Sequence, residues 1–470
     1  MSTVSSSSTS SVLQQAAQSI LSGVTNSQLD VNTLVSALVT GATAAQASTI
    51  AVAANSDNTQ LSALGSMQSS MSNLLNSLGG LADGSIFTKL SASMSGTGIT
   101  ATTSTGAAAG TYSVSVQQIA TANQISSKAY ASNATLGTGN LNIGVGTGTM
   151  TIALTSSNNT LSGIASAINS ATNNPGVTAA VVTGTDGQHL VLTSTQTGSA
   201  NTVSVSADPT VDAGMATANF TQVTAAQDAK LTVSGTSVVS ASNNVTTAMS
   251  GVTLSLTSAS VGTSQTLSVA TNTSSISTAL QNFTTAYNSW ISTVKSLSSY
   301  DSTSHAAGPL LGDAMLNSAV NGIASIMASG VTVGGTTYSL AQLGVNLNDD
   351  GTLAPLDATT LQSTLASSPS MASNVFNGTN GIGEQLSSFI SSYTTAVTGQ
   401  IAQRNSTLQS DLTAQQQAET NLVAYQAALT SQYQAEFTQL NTIMSQTQNN
   451  TTYLNQLFGG NGSAGTINKK

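Results

Sequence analysis

The sequence predicts a multidomain α+β fold in which discontinuous N- and C-terminal coiled-coil helices flank a helical head and inserted antiparallel β domains. Three observations carry this. Near both ends apolar residues recur at steps of three and four, the spacing of one helical face. In the middle they alternate with polar residues at period two, as in strands with one wet face. Gly, Asn and Ser punctuate that middle region at short intervals, as turns between strands require.

From the N-terminus, residues 1–29 are rich in Ser, Thr and Gln with weak periodicity, and residues 1–40 are expected to be a mobile segment. Asp30 suits a helix N-cap, since its carboxylate accepts from orphan backbone donors. Leu34, Val35, Leu38 and Val39 then share a helical face, and Leu61, Leu64, Met67, Met71, Leu74, Leu78 and Leu81 form a seam. Gly79-Gly80 and Gly84 mark its expected end. From residue 386 to 457 there is no Pro, and the single Gly is Gly399. Tyr393, Val397, Ile401, Arg404 and Leu408 lead into a stripe of Leu422, Tyr425, Leu429, Tyr433, Phe437, Leu440 and Met444. Its opposite face is Gln, Ser, Thr and Asn, so the order of this helix depends on a partner for the stripe. The simplest partner is the N-terminal helix, giving an arm of 41–90 with 385–470.

The period-two pattern runs through Tyr112, Val114 and Val116, then Leu141, Ile143 and Val145, then Met150, Ile152 and Leu154. It returns at Val203/Val205, Leu231/Val233, Leu254/Leu256 and Leu267/Val269. A short helix with Leu161, Ile164, Ala165 and Ile168 interrupts it before Asn173-Asn174-Pro175-Gly176. These segments divide into a β domain of 91–128 with 225–274 and an inserted β-rich domain of 129–224. Helix returns in a head of 275–384 carrying a β-hairpin. There Ile276, Leu280, Phe283, Tyr287, Trp290, Ile291, Val294 and Leu297 form one core stripe, and Leu310 to Met327 another.

Composition excludes several functions. The chain has 470 residues, enough for about two to four domains, and 39% are hydrophobic. Only 5% are charged, against roughly 25% in ordinary chains. Small hydroxyls replace them: 76 Ser and 71 Thr. Seven basic residues and a net charge of −9 cannot neutralise a phosphate backbone or bind an anionic membrane surface. The absence of Cys removes disulfides, thiolate metal sites and Cys nucleophiles. No run approaches the roughly 20 apolar residues of a bilayer span, and the start MSTVSSSSTSS has neither the basic nor the apolar region of a cleaved signal peptide. The uncharged, hydroxyl-rich surface suits the outside of a cell, reached by another export route.

No motif of nucleophilic, metalloprotease or phosphate-cradling type is present, so an enzyme, a cofactor or a catalytic residue is not expected. The Gly-rich run 137–148 lacks a basic residue and reads as a strand edge or turn. His189 and His305 lie in polar surroundings and read as solvated loop residues. Residues 346–357 (NLNDDGTLAPLD) permit two readings. Asn346, Asn348, Asp350, Gly351, Leu353 and Asp357 fall at calcium-loop positions, but Asn stands first and the short Asp last. An Asp-Gly turn explains the same letters.

The order of several motifs resembles the flagellar filament cap family, hook-associated protein 2. LDVNTLVSALV at 29–39 is similar to its N-terminal signature, and GTYSVSVQQIA at 110–120 to its first β segment. TLSGIASAINS at 160–170, GVTAAVV at 176–182 and LVLTS at 190–194 resemble the hook-type repeat named for its Ile-Asn pair, here Ile168 and Asn169. DAKLTVSG at 228–235, GVTLSL at 251–256, AYN at 286–288, GPLLGD at 308–313 and LGVNLNDDGTL at 343–353 follow in the family order.

The resemblance implies a structural tip complex that promotes flagellin folding and insertion as the filament grows. It implies a homo-oligomeric ring of roughly four to six copies, located at the extracellular flagellum tip. The implied partners are flagellin, hook-filament junction proteins and an export chaperone, with export through the flagellar type III channel. The contact residues expected on the coiled coil are Leu61, Leu64, Met71, Leu74, Leu78, Leu422, Tyr425, Leu429, Phe437 and Leu440. Adhesion through its Ser/Thr/Asn surface is expected as a possible further role of such a cap; another axial protein, such as a junction protein or flagellin, and a tip adhesin are the competing expectations.

Overall fold

The computed structural model describes residues 31–458; the expected Asp30 cap and the segments on either side lie outside the described residues. The chain divides between Asp83 and Gly84 and between Ser277 and Thr278 into two compact units.

The unit containing both chain ends opens with helix α1, Val31–Ala82. Residues 31–40, expected to be mobile, are already helical, and Leu34, Val35, Ala37 and Val39 are buried. The seam behaves as its spacing requires: Leu64, Met67, Met71, Leu74, Leu78 and Leu81 are each at most 1% exposed. Gly79 interrupts the helix near its expected end, and a last helical turn follows to Ala82. Gly79 takes φ 4° and ψ −103°, outside the helical region.

The second unit, residues 84–277, holds two cores. One is built by a five-stranded antiparallel sheet and a three-stranded one. The strands are β1 (Leu90–Met94), β2 (Ile99–Thr103) and β3 (Gly110–Gln118), then β11 (Ala229–Val233), β12 (Thr236–Ser240), β13 (Asn244–Met249), β14 (Val252–Leu256) and β15 (Ser264–Thr271). The orders are β1-β15-β3-β11-β12 and β13-β14-β2. Val114, Val116, Leu231, Leu254 and Leu267 meet between the sheets, at 1% exposure or less.

The other core belongs to the inserted segment. Its strands are β4 (Ala122–Ser126), β5 (Gly139–Val145), β6 (Gly148–Leu154), β7 (Val177–Thr183), β8 (Gln188–Thr197), β9 (Val203–Ala207) and β10 (Thr221–Thr224). They form two sheets, β10-β4-β8-β7 and β6-β5-β9. Helix α2, Leu161–Ser170, buries Leu161, Ile164, Ala165 and Ile168 in this core and is capped by the Thr160 hydroxyl, which accepts from the Gly163 N–H. The expected boundary at 128 moves upstream, because β4 pairs with β8 and Ile125 joins the inserted core. The Gly-rich run is the β5–β6 hairpin; Gly146 has φ +57°, and a side chain at Gly144 would meet Ser204 Oγ at 2.6 Å.

Helix α3 (Thr273–Ser298) returns the chain to the first unit. There Leu280, Phe283, Tyr287 and Trp290 are at most 1% exposed. The second head stripe starts later than expected. Pro309 and Gly312 hold a turn, and Asp313 caps helix α4 (Ala314–Ser329) by accepting from the Leu316 N–H at 2.9 Å. Strands β16 (Tyr300–Asp301) and β17 (Ala306–Ala307) pair around an exposed turn holding His305. The expected hairpin is β18 (Val331–Val333) with β19 (Thr336–Tyr338), turned by Gly334 and Gly335 at positive φ. Helices α5 (Ala358–Ser367), α6 (Met371–Asn377), α7 (Ile382–Thr394) and α8 (Gln400–Phe458) complete the unit. Phe283 meets Phe376 edge-on at 5.7 Å. The stripe through Val397 is broken: α7 stops at Thr394, Val397 is 82% exposed, and α8 starts after Gly399.

Candidate functional site: the helical arm and its clamps

Helices α1 and α8 run antiparallel, and polar bonds fix their register. Arg404 Nη2 donates to Gln60 Oε1 at 3.1 Å, and Gln415 Nε2 to Asp57 Oδ2 at 2.7 Å. Gln426 Nε2 donates to Thr43 Oγ1 at 2.8 Å, and Gln434 Nε2 to Asn32 Oδ1 at 3.4 Å. The partly buried pairs, Gln415–Asp57 and Gln426–Thr43, favour one register, because a slip would leave them unpaired away from water. Thr43 is fully enclosed, and its hydroxyl donates to the Val39 carbonyl.

The expected contact residues separate into three sets. Leu64, Met71, Leu74 and Leu78 are buried within the chain's own core; Leu61 is half-buried beside them. Leu422 is buried, while Leu429 and Phe437 are half-buried. Tyr425 and Leu440 lie outside the seam at 53% and 46% exposure. The seam uses Gln426 where hydrophobicity alone selects Tyr425.

Beyond the Gln434–Asn32 bond, no described helix lies opposite α8. Leu440, Ile443, Met444, Tyr453, Leu454 and Leu457 are there all exposed. This row is the largest set of exposed apolar side chains on one described element. Charge is almost absent: α1 carries only Asp57, and α8 only Arg404, Asp411, Glu419 and Glu436. By length and composition α1 is apolar enough to cross a membrane, which the expected absence of such a run missed; its apolar residues are interleaved with Thr, Ser and Gln.

The motifs that carry the family resemblance converge on one device, an Asn amide clamped to a distant backbone. Asn169 Oδ1 accepts the Ala179 N–H at 2.9 Å, and its Nδ2 donates to the Ala179 carbonyl at 2.7 Å. Asn243 grips Ala120 in the same way at 2.7 and 2.8 Å. Asn288, in AYN, grips Leu353, in NLNDDGTL, at 2.7 and 2.8 Å. Periodicity gives no hint of these pairs. The Ile-Asn letters and the AYN motif were the available signals.

The 346–357 segment is a turn. Leu347 bridges Leu353, Asn348 receives the Gly351 N–H, and Gly351 has φ +82°. Asp350 accepts from the Thr352 hydroxyl and N–H and from Lys295 Nζ, which pull its carboxyl down to about 2. Asp357 faces away as the cap of α5, held below the usual carboxylate range by the Thr360 hydroxyl and N–H. Its two main carboxylates are thus committed in different directions. Among the described residues, no group of three or more His, Asp or Glu gathers to hold a metal.

In the inserted domain Lys128 Nζ and Tyr130 OH both reach Asp212, at 3.1 and 3.0 Å. Burial and the Asp212 carboxylate raise the Tyr130 phenol. His189, expected to be a solvated loop residue, instead lies second in β8 with both ring nitrogens engaged. Nδ1 lies 2.8 Å from the Ser127 carbonyl, and Nε2 lies 3.1 Å from Asp186 Oδ1.

Comparison with known proteins follows the same layout. The family model for the flagellar hook-associated protein 2 C-terminus matches residues 226–449. That for its N-terminus matches 27–123, and the flagellin hook IN motif matches 140–196. The flagellar hook-associated protein 2 of Escherichia coli K12 is 32% identical over 414 residues, covering 82% of this chain and 86% of that protein. The B-type flagellar hook-associated protein 2 of Pseudomonas aeruginosa is 29% identical over 367 residues, covering 72% and 76%. The crystal structure of the D1-D2-D3 domains of the flagellar cap protein FliD from Escherichia coli is similar, with TM-score 0.56 and 31% identity. It covers 74% of this chain and 99% of that one.

Proposed function

Because the chain belongs to the flagellar hook-associated protein 2 family, we propose that it caps the flagellar filament as an oligomer and inserts new flagellin beneath itself. The observation that carries the finer reading is the exposed apolar row from Leu440 to Leu457 on α8. An arm that must grip the filament end and release it as each subunit enters needs contacts of modest strength. Such a row of separate apolar side chains with almost no charge supplies that: each buried side chain contributes about 1–3 kcal/mol, and no desolvated ion pair has to be broken.

Flagellin and an export chaperone are the partners this reading requires, and the flagellar channel is its export route. A chain without Cys can be threaded without reducing a disulfide, which suits that route. The family is a structural one, and the chemistry is non-covalent. Junction-protein, flagellin and adhesin readings are less favoured, since the matching family models span both cap-family termini.

The test is complementation of cells lacking their cap gene, paired with imaging of the purified chain. The reading expects closed rings and restored filament growth. Monomers without filament rescue would sink it.

A further inference from the structure

The inserted segment 122–224 is nearly devoid of acids and bases: Lys128, Asp186, His189, Asp208 and Asp212 are its complete set. Four of these five gather around the connector 127–130 that follows β4. Asp208 is engaged elsewhere, accepting the Asn140 N–H. On one side Lys128 and Tyr130 close on Asp212. On the other, His189 lies between the Ser127 carbonyl and Asp186. Asp186 sits in the β7–β8 turn, where the Gly184 N–H donates to the Gly187 carbonyl at 2.7 Å.

We propose that His189 is a proton-operated latch, fastening the β7–β8 turn to the 127–130 connector only while its imidazole carries both protons. The geometry dictates this. A carbonyl oxygen and a carboxylate oxygen are both acceptors, so satisfying both needs two N–H donors. Neutral imidazole has one. After deprotonation, one ring nitrogen presents a lone pair to an oxygen lone pair, and one contact must open. Among the described residues, no other charged group bonds the ring. The cross-strand neighbour on β7 is Val182, and on the connector the Lys128 and Tyr130 side chains go to Asp212. The acid bonded to the ring is Asp186.

What the latch controls is small and defined. The start of β8 is held independently of pH, because Tyr130 and Gln188 exchange both backbone bonds at 2.9 and 2.8 Å. The turn 184–187 has no comparable backbone tie to the connector. It sits close: a side chain at Gly187, which has φ +140°, would meet the Tyr130 carbonyl at 2.7 Å. The sign follows from the raised His189 value, caused first by the Ser127 carbonyl and then by Asp186. The fastening is fully present below the ordinary histidine value of 6.5 and is lost as pH rises through the higher folded value. Asp186, held low by His189, stays ionised throughout that window.

The test is a pH titration of the full-length chain labelled with carbon-13 at the histidine Cε1, with His305→Gln to assign the two signals. Exchange of the Gly184 amide is followed in parallel. His189 should titrate above 6.5. Asp186→Asn should lower its midpoint, because the opposite charge beside the ring is removed, whereas Asp208→Asn should leave it in place. Asp186 is largely exposed, so its replacement leaves the core intact. Gly184 exchange should rise through the same midpoint faster than base catalysis alone requires. A midpoint at or below 6.5, one unmoved by Asp186→Asn, or Gly184 exchange that follows base catalysis alone would each overturn the latch.

Discussion

Asn169 grips Ala179 at two points, its carbonyl oxygen on the N–H and its amide nitrogen on the C=O. Ala179 lies on β7, the outer strand of the β10-β4-β8-β7 sheet. In an antiparallel ladder a residue directs both backbone groups to one side. Those of Ala179 face away from β8, so Asn169 stands in for the missing next strand and blunts an edge that would otherwise be open to pairing. The neighbouring Ile168, fully buried, anchors the helix that presents it.

Removing that clamp should therefore do more than lose a side chain. Asn169→Ala is expected to lower the stability of the inserted domain by about 1–2 kcal/mol, two ordinary hydrogen bonds. Asn169→Asp should cost at least as much, because a carboxylate facing the Ala179 carbonyl has no donor to offer. Hydrogen exchange at the Ala179 amide, measured with denaturant unfolding, checks both. A protected Ala179 amide in Asn169→Ala would contradict the clamp.

The arm predicts opposite results for two residues on its helices. Leu74 is fully enclosed, so Leu74→Ala should cost about 2–5 kcal/mol by leaving a cavity. Tyr425 is 53% exposed, so Tyr425→Ala should lie within about 0.5 kcal/mol of wild type. Thermal unfolding of the purified variants separates them. Equal losses would mean that Tyr425 belongs to the seam after all.

The contrast between these residues marks what was legible in the sequence. Helical and strand segments could be read because burial of one face imposes a period, and Leu64 to Leu81 obeyed it throughout. Tyr425 could not be rejected, because Gln426, the polar residue that takes its place, is selected by Thr43 on the other helix, 383 residues away in sequence. Likewise β4 looks like a continuation of the first β domain until its pairing with β8 is known. The Asn clamps span 10, 123 and 65 residues, and His189 finds Ser127 across 62. Such single bonds leave no repeating trace. Only the resemblance marked Asn169 and Asn288, and it did so without a physical reason.

Acid should loosen the turn that carries Asp350. Its carboxyl is lowered to about 2 by the Thr352 hydroxyl, then the Thr352 N–H, then Lys295. A lowered carboxylate contributes stability above its unfolded value of 3.8, and the contribution is lost as pH falls through the folded value. Asp350→Asn should thus be less stable than wild type near neutral pH. The gap should close between about pH 4 and pH 2, read as the difference in melting temperature across a pH series. A gap that stays constant down to pH 2 would place its origin in packing and not in the charge.

The exposed row on α8 separates folding from assembly. Leu454 and Leu457 are 52% and 55% exposed, and changing both to Asp adds charge where water already reaches. Stability should therefore change by no more than about 0.5 kcal/mol per site. If the row packs against the filament, those carboxylates must be desolvated there without partners, a penalty of several kcal/mol. That is enough to abolish a contact of modest strength. The expected outcome is a folded, exported Leu454→Asp/Leu457→Asp protein that fails to restore filaments on cells lacking the cap gene. Motility equal to that given by the wild-type chain would show that the arm contacts the filament through some other face.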